Sequence, residues 1–196
     1  MLSLLRPAVV LLALFTLLTG LAYPLAITGF AQVALPYQAN GSLVLRGERV
    51  VGSELVGQAF TQARYFHGRP SATSTADPSD ASKTVDAPYN AASSAGSNLG
   101  PTSKALAEAI RERAAAYGPG PAPADLVTAS ASGLDPHLSP QAVLAQVPRI
   151  AEARGLAQDQ VRALVQRHVE GRGFGVLGEP HVNVLALNLA LDAERR

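Results

Sequence analysis

The hydrophobic pattern of the chain changes once, close to its N-terminus. An apolar run from Ala8 to Phe30 carries no charged residue, whereas the rest of the chain mixes apolar and polar positions. At 1.5 Å per residue, roughly 23 residues form a helix about 35 Å long, which crosses a hydrocarbon core of about 30 Å. The run is longer than the apolar part of a secretory signal, and no Ala-x-Ala cleavage site follows it. The sequence therefore predicts a transmembrane helix over residues 8–30, in which Pro24 is expected to introduce a kink or mark the last turns.

Positive charge near the ends of this run predicts its orientation. Arg6 lies directly before it, and the next basic residue is Arg46. Since basic residues are retained on the cytoplasmic side, residues 1–7 are expected to form a cytoplasmic tail. Residues 31–41 then form a tether, and residues 42–196 form an extracytoplasmic domain.

One side of the predicted membrane helix carries small residues. Ala13, Thr16, Gly20 and Pro24 recur at steps of three and four. Small residues let two helices approach closely in lipid, so this stripe is a candidate packing surface for a partner helix. The alternative is a solitary anchor in which these residues occur by chance.

Apolar periodicity in residues 42–196 predicts one α+β domain with several helices and a small sheet or hairpin. At the end of the chain, Asn183 as a cap favours a helix over an alternating strand. The apolar content of this last segment predicts that it lies in the core, so its removal is expected to unfold the domain. Predicted elements are a hairpin around Gly47, a helix opening at Pro101–Thr102, a helix from Ser139–Pro140 that kinks or ends early at Pro148, a helix over 157–170, a short strand over 174–177 and a helix over 182–191.

A long polar segment interrupts these elements. Residues 67–101 are rich in Ser, Ala, Thr, Asp, Asn, Gly and Pro and hold almost no large apolar side chain. Composition alone predicts disorder or a long loop. Loops of this length inside compact domains are often functional, so contact with a partner surface is the other interpretation.

Composition excludes several functional classes. Without Arg6 the chain has 15 basic and 15 acidic residues, so the soluble part has no positive field for nucleic acid. The chain has no cysteine, which excludes disulfides, thiolate metal sites and a cysteine nucleophile. It contains no P-loop and no H-E-x-x-H motif. Its four histidines lie far apart in sequence, so no metal site is expected; they are His67, His137, His168 and His181.

A serine nucleophile is the enzymatic alternative. Ser130, Ser132, Asp135 and His137 lie within eight residues, but the G-x-S-x-G elbow is missing. Triad members normally come together through the fold and not through adjacency. Asp135–Pro136 is more simply interpreted as a turn.

Several longer sequence motifs follow the single membrane span. They are 52–60 (GSELVGQAF), 65–71 (YFHGRPS), 89–90 (YN), 96–101 (GSNLGP), 124–140 (ADLVTASASGLDPHLSP), 146–149 (QVPR) and 182–188 (VNVLALN). Taken in order, these segments resemble the KdpC family of bacterial Kdp potassium-transporting ATPase subunits. Ala95 and Arg64 depart from residues that the family favours, Gly and Pro, without weakening the resemblance.

The resemblance implies a non-catalytic, single-pass subunit of a bacterial inner-membrane complex. Its implied partners are a potassium-channel-like subunit, a P-type ATPase subunit and membrane lipid. It implies a role in assembly and as a catalytic chaperone that raises the ATP affinity of the pump subunit. Potassium is the cargo, and ATP is associated through the pump subunit. Because ATP is cytoplasmic and the domain is predicted outside, the effect would be conformational. Direct nucleotide contact is the alternative and needs the opposite topology.

Candidate partner contacts combine the membrane stripe, the aromatic segment, the polar loop and the serine-rich turn. Aromatic residues and Arg often carry interface energy, although Tyr65 and Phe66 could equally serve the core. The candidate residues are Ala13, Thr16, Gly20, Tyr65, Phe66, Arg69, Ser97, Asn98, Ser130, Ser132, Asp135 and His137. No catalytic or metal-binding residue is assigned.

Overall fold

The structure is a computed structural model that describes residues 2–194. Its contacts divide the chain into two units, one ending at Val51 and the other beginning at Gly52. The first unit holds the long apolar helix and the second holds helices and small antiparallel sheets. The predicted fold class, one N-terminal apolar helix followed by an α+β domain, is confirmed.

The first unit begins with a helix built from α1 (Leu2–Leu17), a π-helical segment (Leu18–Ala22) and α2 (Tyr23–Ala34). Its stretch Leu4–Ala34, 31 residues, is apolar enough to span a membrane. At 1.5 Å per residue that length is about 46 Å, which exceeds the hydrocarbon core. The helix fits a single-pass membrane protein.

The π-helical segment ends at Ala22, two residues before Pro24. The backbone N–H of Tyr23, which follows the segment, donates to the carbonyl of Leu18, five residues earlier. Proline has no N–H and its ring crowds the carbonyl four residues before it, so a wider turn accommodates Pro24 inside the helix. The helix does not end there but continues to Ala34.

A short helix and a hairpin follow the long helix. They are α3 (Pro36–Ala39), β1 (Leu43–Arg46) and β2 (Arg49–Ser53). The strands pair, and Gly47 in the turn has φ +65°, a conformation that favours glycine. The predicted hairpin is confirmed.

The second unit contains short helices and two small antiparallel sheets, β3–β4 and β5–β6. Ser74 pairs with Asp86 in the first sheet and His137 with Asn183 in the second. The elements are β3 (Ser74–Ala76), β4 (Thr84–Asp86), α4 (Lys104–Ala115), α5 (Ala124–Val127), β5 (His137–Leu138), α6 (Pro140–Leu144), α7 (Val147–Arg154), α8 (Gln158–Arg167), β6 (Val182–Asn183) and α9 (Val184–Ala193).

The core of this unit lies between α6, α7, α8 and α9. Each buried Val, Leu, Ile or Phe contributes roughly 1.5–3 kcal/mol relative to an exposed side chain. Buried members include Phe66, Leu138, Val143, Val147, Ile150, Val161, Leu164, Val165, Leu187 and Leu191.

Local signals in the sequence set the ends of the core helices. Ser139 accepts a hydrogen bond from the Ala142 N–H at 3.3 Å and starts α6. That helix ends at Leu144, and Pro148 then occupies the first turn of α7, so the predicted early end is confirmed. Asn183 caps α9 through the Ala186 N–H at 3.1 Å, which confirms the terminal helix.

Several predicted elements differ from the structure. The terminal helix expected over 182–191 spans Val184–Ala193, because Asn183 is its cap. The helix expected to open at Pro101–Thr102 begins at Lys104, because the Ser103 hydroxyl accepts the N–H of Leu106 and makes Ser103 the cap. The helix expected to reach Glu170 ends at Arg167. The strand expected over 174–177 is wrong, since a tight turn closes between Gly173 and Leu177.

Candidate functional site

The serine-rich turn, residues 130–137, is the point where distant segments of the second unit meet. The Gly57 N–H donates to the Leu134 carbonyl at 2.8 Å, and the Ser130 N–H donates to the Pro70 carbonyl at 3.1 Å. The Ala95 N–H donates to the carbonyl of Ser132 at 3.1 Å. We call Arg69, Ser71, Thr73, Tyr89 and residues 130–137 the polar hub.

Two glycines allow this close approach. Gly133 has φ +69°, and a Cβ atom there would lie 2.6 Å from the carbonyl oxygen of Ala95. A Cβ atom at Gly57 would lie 2.7 Å from the carbonyl oxygen of Asp135. Backbone atoms cannot move aside as a flexible side chain can, so a larger residue at either position displaces the turn.

Two hydroxyl groups join the polar loop to the hub. Ser71 Oγ donates to the Gly133 carbonyl at 2.7 Å and accepts the N–H of Tyr89 at 3.0 Å. Thr73 Oγ1 donates to the Ala87 carbonyl at 2.6 Å and accepts the Asn90 N–H at 3.1 Å. This part of the 67–101 segment is therefore an ordered loop whose polar groups bind within the chain, and disorder is the wrong interpretation of its composition.

Asp135 lies between Arg69 and His137 in the hub. Arg69 Nη1 lies 3.1 Å from Asp135 Oδ2, and His137 Nδ1 lies 3.6 Å from Asp135 Oδ1. Burial alone would raise the pKa of Asp135, but hydrogen bonds from His137 and Arg69 outweigh it and lower the pKa to about 2. Burial and the nearby Asp135 charge raise the pKa of Tyr89 to about 12, and its hydroxyl donates to the Arg69 carbonyl at 2.6 Å.

Asp135→Asn is expected to reduce the acid sensitivity of the fold. The pKa of Asp135 falls from its usual 3.8 to about 2 on folding, so this carboxylate stabilises the fold fully above about pH 4. The contribution, about 2 kcal/mol, disappears as pH falls from about 4 to about 2. Urea unfolding of the full-length chain in detergent between pH 2 and pH 6 measures it.

The stability difference between wild type and Asp135→Asn should shrink as the solution becomes more acidic. Asp86→Asn, which changes an exposed strand carboxylate, serves as the matched control. A difference that stays constant down to pH 2 would contradict a charged, hydrogen-bonded Asp135.

A second polar arrangement fixes the aromatic segment. The side-chain amide of Asn188 pairs with both the N–H and the carbonyl of Phe66, each at 2.9 Å. Gln146 does the same for His67, at 2.9 and 3.0 Å. Arg154 donates to the carbonyls of Arg64 and Leu191. We call Gln146, Arg154 and Asn188 the backbone clamp.

The structure places the predicted contact residues in different surroundings. Phe66 is 0% exposed and packs in the core, which is one of the two roles that the sequence left open for it. Tyr65 is partly buried, and its hydroxyl donates to Asp192 at 3.1 Å. The hub brings together five of the predicted residues, of which Ser130 is buried: Arg69, Ser130, Ser132, Asp135 and His137. Ser97 and Asn98 are exposed. Ala13, Thr16 and Gly20 are exposed on the long helix.

The serine-rich turn does not form a nucleophile–base pair within residues 2–194. Ser132 Oγ accepts the N–H of Leu134 at 3.1 Å, and Ser130 Oγ is buried without a hydrogen-bond partner. His137 faces Asp135 and the ring of His181, whose centroid is 4.5 Å away. Across the described part of the chain, no group of three metal-ligating side chains is brought together.

Sequence reasoning missed the backbone clamp. Asn188 lies among apolar residues of α9, and Gln146 immediately precedes α7. A polar side chain at a core-facing position is the signal that could have identified each, since buried amides need partners. Their partner is backbone that belongs to no regular element, and no pattern in the sequence predicts that pairing.

Comparison with known proteins gives consistent matches along the chain. Residues 5–193 match the family described as "KdpC: K+-transporting ATPase, c chain". The chain is 62% identical to the potassium-transporting ATPase KdpC subunit of Methylorubrum populi, over 98% of both chains. It is 61% identical to the subunit of that name from Rhodopseudomonas palustris over the whole of both chains. The corresponding protein of Methylobacterium nodulans is 62% identical, again over 98% of both.

Proposed function

Because the chain belongs to the KdpC family and is a subunit of a potassium-transporting ATPase, we propose that it acts there as a non-catalytic assembly subunit and catalytic chaperone. In this role it stabilises the complex and raises the ATP affinity of the P-type ATPase subunit. Its partners are that subunit and a potassium-channel-like subunit.

One observation carries this proposal. Segments that are far apart in the sequence converge on residues 130–137 through backbone hydrogen bonds of 2.8–3.1 Å. The Ser71 hydroxyl holds the loop against that turn, the Thr73 hydroxyl binds the backbone of the loop itself, and the charges of Arg69 and Asp135 neutralise each other. Such an arrangement fixes a surface shape, as expected of a docking subunit. Ala95 and Gly96 lie against this turn, and the exposed residues that follow them, Ser97 and Asn98, form its exposed edge.

The proposed location is the bacterial inner membrane, with the N-terminus in the cytoplasm. Arg6 before the apolar helix and the absence of basic residues until Arg46 support this orientation. The domain then lies on the side opposite to ATP. The influence on ATP affinity is accordingly a coupling between distant sites, transmitted through the pump subunit.

Omission of this chain from the complex is expected to raise the KM for ATP about fivefold or more, a typical coupling between distant sites. Potassium-stimulated ATP hydrolysis by purified complex, with and without the full-length chain, measures the change. Ser97→Trp at the exposed edge should reproduce part of the increase. Ala81→Trp, an exposed position in the turn between β3 and β4, should leave the KM unchanged.

An unchanged KM on omission would contradict the chaperone role while leaving the assembly role in place. The second candidate, direct nucleotide contact, predicts saturable ATP binding by the full-length chain without the pump subunit. It also predicts that protease added to the periplasmic side cannot reach the domain. If this chain itself had a hydrolytic activity that Ser132→Ala removed while the complex stayed intact, the chain would instead be a hydrolase.

A further inference from the structure

A closed loop projects from the second unit between α8 and β6. Its base is an antiparallel bridge in which Glu170 and His181 exchange backbone hydrogen bonds of 2.8 and 3.0 Å. Above it, Arg172 Nη2 donates to both carboxylate oxygens of Glu179 at 2.8 and 2.7 Å. We call residues 170–181 the apolar finger.

The tip of the apolar finger is closed as firmly as its base. Gly173 and Leu177 exchange backbone hydrogen bonds of 2.8 and 2.9 Å. Three successive cross-links therefore hold one loop conformation, and none of them uses the apolar side chains. These side chains are left free to face outward.

The apolar finger exposes large hydrophobic side chains. Phe174 is 97% exposed, Val176 is 74% exposed and Leu177 is 62% exposed. Phe174 also has φ +51°, a left-handed conformation that a bulky residue rarely adopts. A folded domain gains nothing from this combination of strain and exposure, whereas a binding loop gains a preformed anchor.

The base of the apolar finger is fixed to the polar hub. The ring of His181 packs edge-on against His137 with centroids 4.5 Å apart, and His181 Nε2 lies 3.6 Å from Glu170 Oε2. His137 in turn faces Asp135. The position of the finger thus depends on the same turn that organises the hub.

We propose that the apolar finger inserts Phe174, flanked by Val176 and Leu177, into an apolar pocket on another protein subunit of the ATPase. This inference rests on the proposed function, which supplies the partner. An aromatic side chain presented by a rigid loop is a typical interface anchor, because little conformational freedom is lost on binding.

Charge favours a protein pocket over the lipid surface. The apolar finger carries two carboxylates, Glu170 and Glu179, and one guanidinium, Arg172, which is already bound to Glu179. Anionic lipid headgroups attract unpaired Lys and Arg, and the finger offers none. A bilayer also accepts a flexible apolar segment and has no need of three cross-links.

A single introduced cysteine shows directly what the apolar finger contacts, since the chain has no cysteine of its own. Val176→Cys is labelled with a thiol-reactive photo-crosslinker in full-length chain, which is then assembled with the other subunits and illuminated. We expect a covalent adduct with one of the protein subunits. Ala81→Cys, an exposed position in the turn between β3 and β4, should give none.

Each result distinguishes this inference from the function on which it rests. If the wild-type chain does not co-purify with the ATPase subunits, the proposed function fails and takes the inference with it. If it co-purifies but Val176→Cys forms adducts only with lipid, or no adduct at all, the protein pocket alone is wrong.

Affinity gives a second test. Phe174→Asn removes the aromatic ring and suits the left-handed conformation, so the variant should unfold at the wild-type temperature or above it. Titrated into complex that lacks this subunit, it should bind at least tenfold more weakly than wild type. Val85→Ser, at a half-exposed valine of β4, should bind within twofold. Equal affinity of Phe174→Asn and wild type would overturn the inference.

Discussion

Replacing Asn188 with leucine is expected to lower the free energy of unfolding by about 3–5 kcal/mol, although the two side chains are similar in size. Asn188 is buried and serves both backbone groups of Phe66 at 2.9 Å. Leucine removes both partners at once. A buried polar group without a partner costs about 1–3 kcal/mol, and domains are stable by only about 5–15 kcal/mol.

Urea unfolding of the full-length chain in detergent, followed by circular dichroism, measures this loss. Gln166→Leu makes the same type of change at an exposed position of α8. It should shift the free energy of unfolding by no more than about 0.5 kcal/mol. A loss below about 1 kcal/mol for Asn188→Leu would mean that water replaces the amide, contrary to the clamp.

The Arg154→Met substitution is expected to be equally damaging, at about 3–5 kcal/mol. The Arg154 side chain is 0% exposed and lies 2.8 Å from Asp192 Oδ1. It also donates to the carbonyls of Arg64, at 2.8 Å, and Leu191, at 3.2 Å. Methionine fills much of the same space but leaves the carboxylate without its closest cation and two carbonyls without their donor.

A double-mutant cycle separates the ion pair from the carbonyl contacts. Asp192→Asn should recover part of the loss in an Arg154→Met background, because it removes the charge that is left behind. Arg162→Met, at an exposed position of α8, controls for the general effect of removing an arginine. Strictly additive losses in the cycle would show that Arg154 acts only through the two carbonyls.

The elements predicted correctly from the sequence are those with a local cause. Gly47 in a two-residue turn, Ser139 followed by Pro140, and Asn183 before an apolar run each determine a boundary through their own backbone or cap. The apolar helix is recognised by length alone. None of these predictions needs knowledge of distant contacts.

What the sequence left open or predicted wrongly has a non-local cause. Composition left both disorder and a long loop open for residues 67–101, and the ordered loop depends on Ser71 and Thr73, which bind the backbone of residues 87–90 and 133. The 174–177 segment has strand-like residues, but the Gly173–Leu177 cross-link closes it as a turn. The composition of a segment shows how much apolar surface it can bury, but it does not show which distant residues form hydrogen bonds with its polar groups.

In the candidate site, too, local features could be predicted from the sequence and long-range contacts could not. The proximity of Ser132, Asp135 and His137 follows from adjacency in the sequence, and the structure keeps them together. That Arg69 reaches Asp135, 66 residues away, does not follow from any local pattern. For Phe66 the sequence left an interface and the core equally open, and its fully buried position makes it a core residue.

The backbone clamp sets an order on the folding of this domain. The backbone of Phe66 forms its hydrogen bonds with Asn188, 122 residues later in the chain, and the backbone of His67 forms its own with Gln146, 79 residues later. Closing such long loops lowers the entropy of the chain before the contacts that stabilise the fold can form. Folding is therefore slower when contacting residues are far apart in the sequence. During synthesis the aromatic segment therefore emerges long before its partners exist, and the domain closes only after α9 has been made.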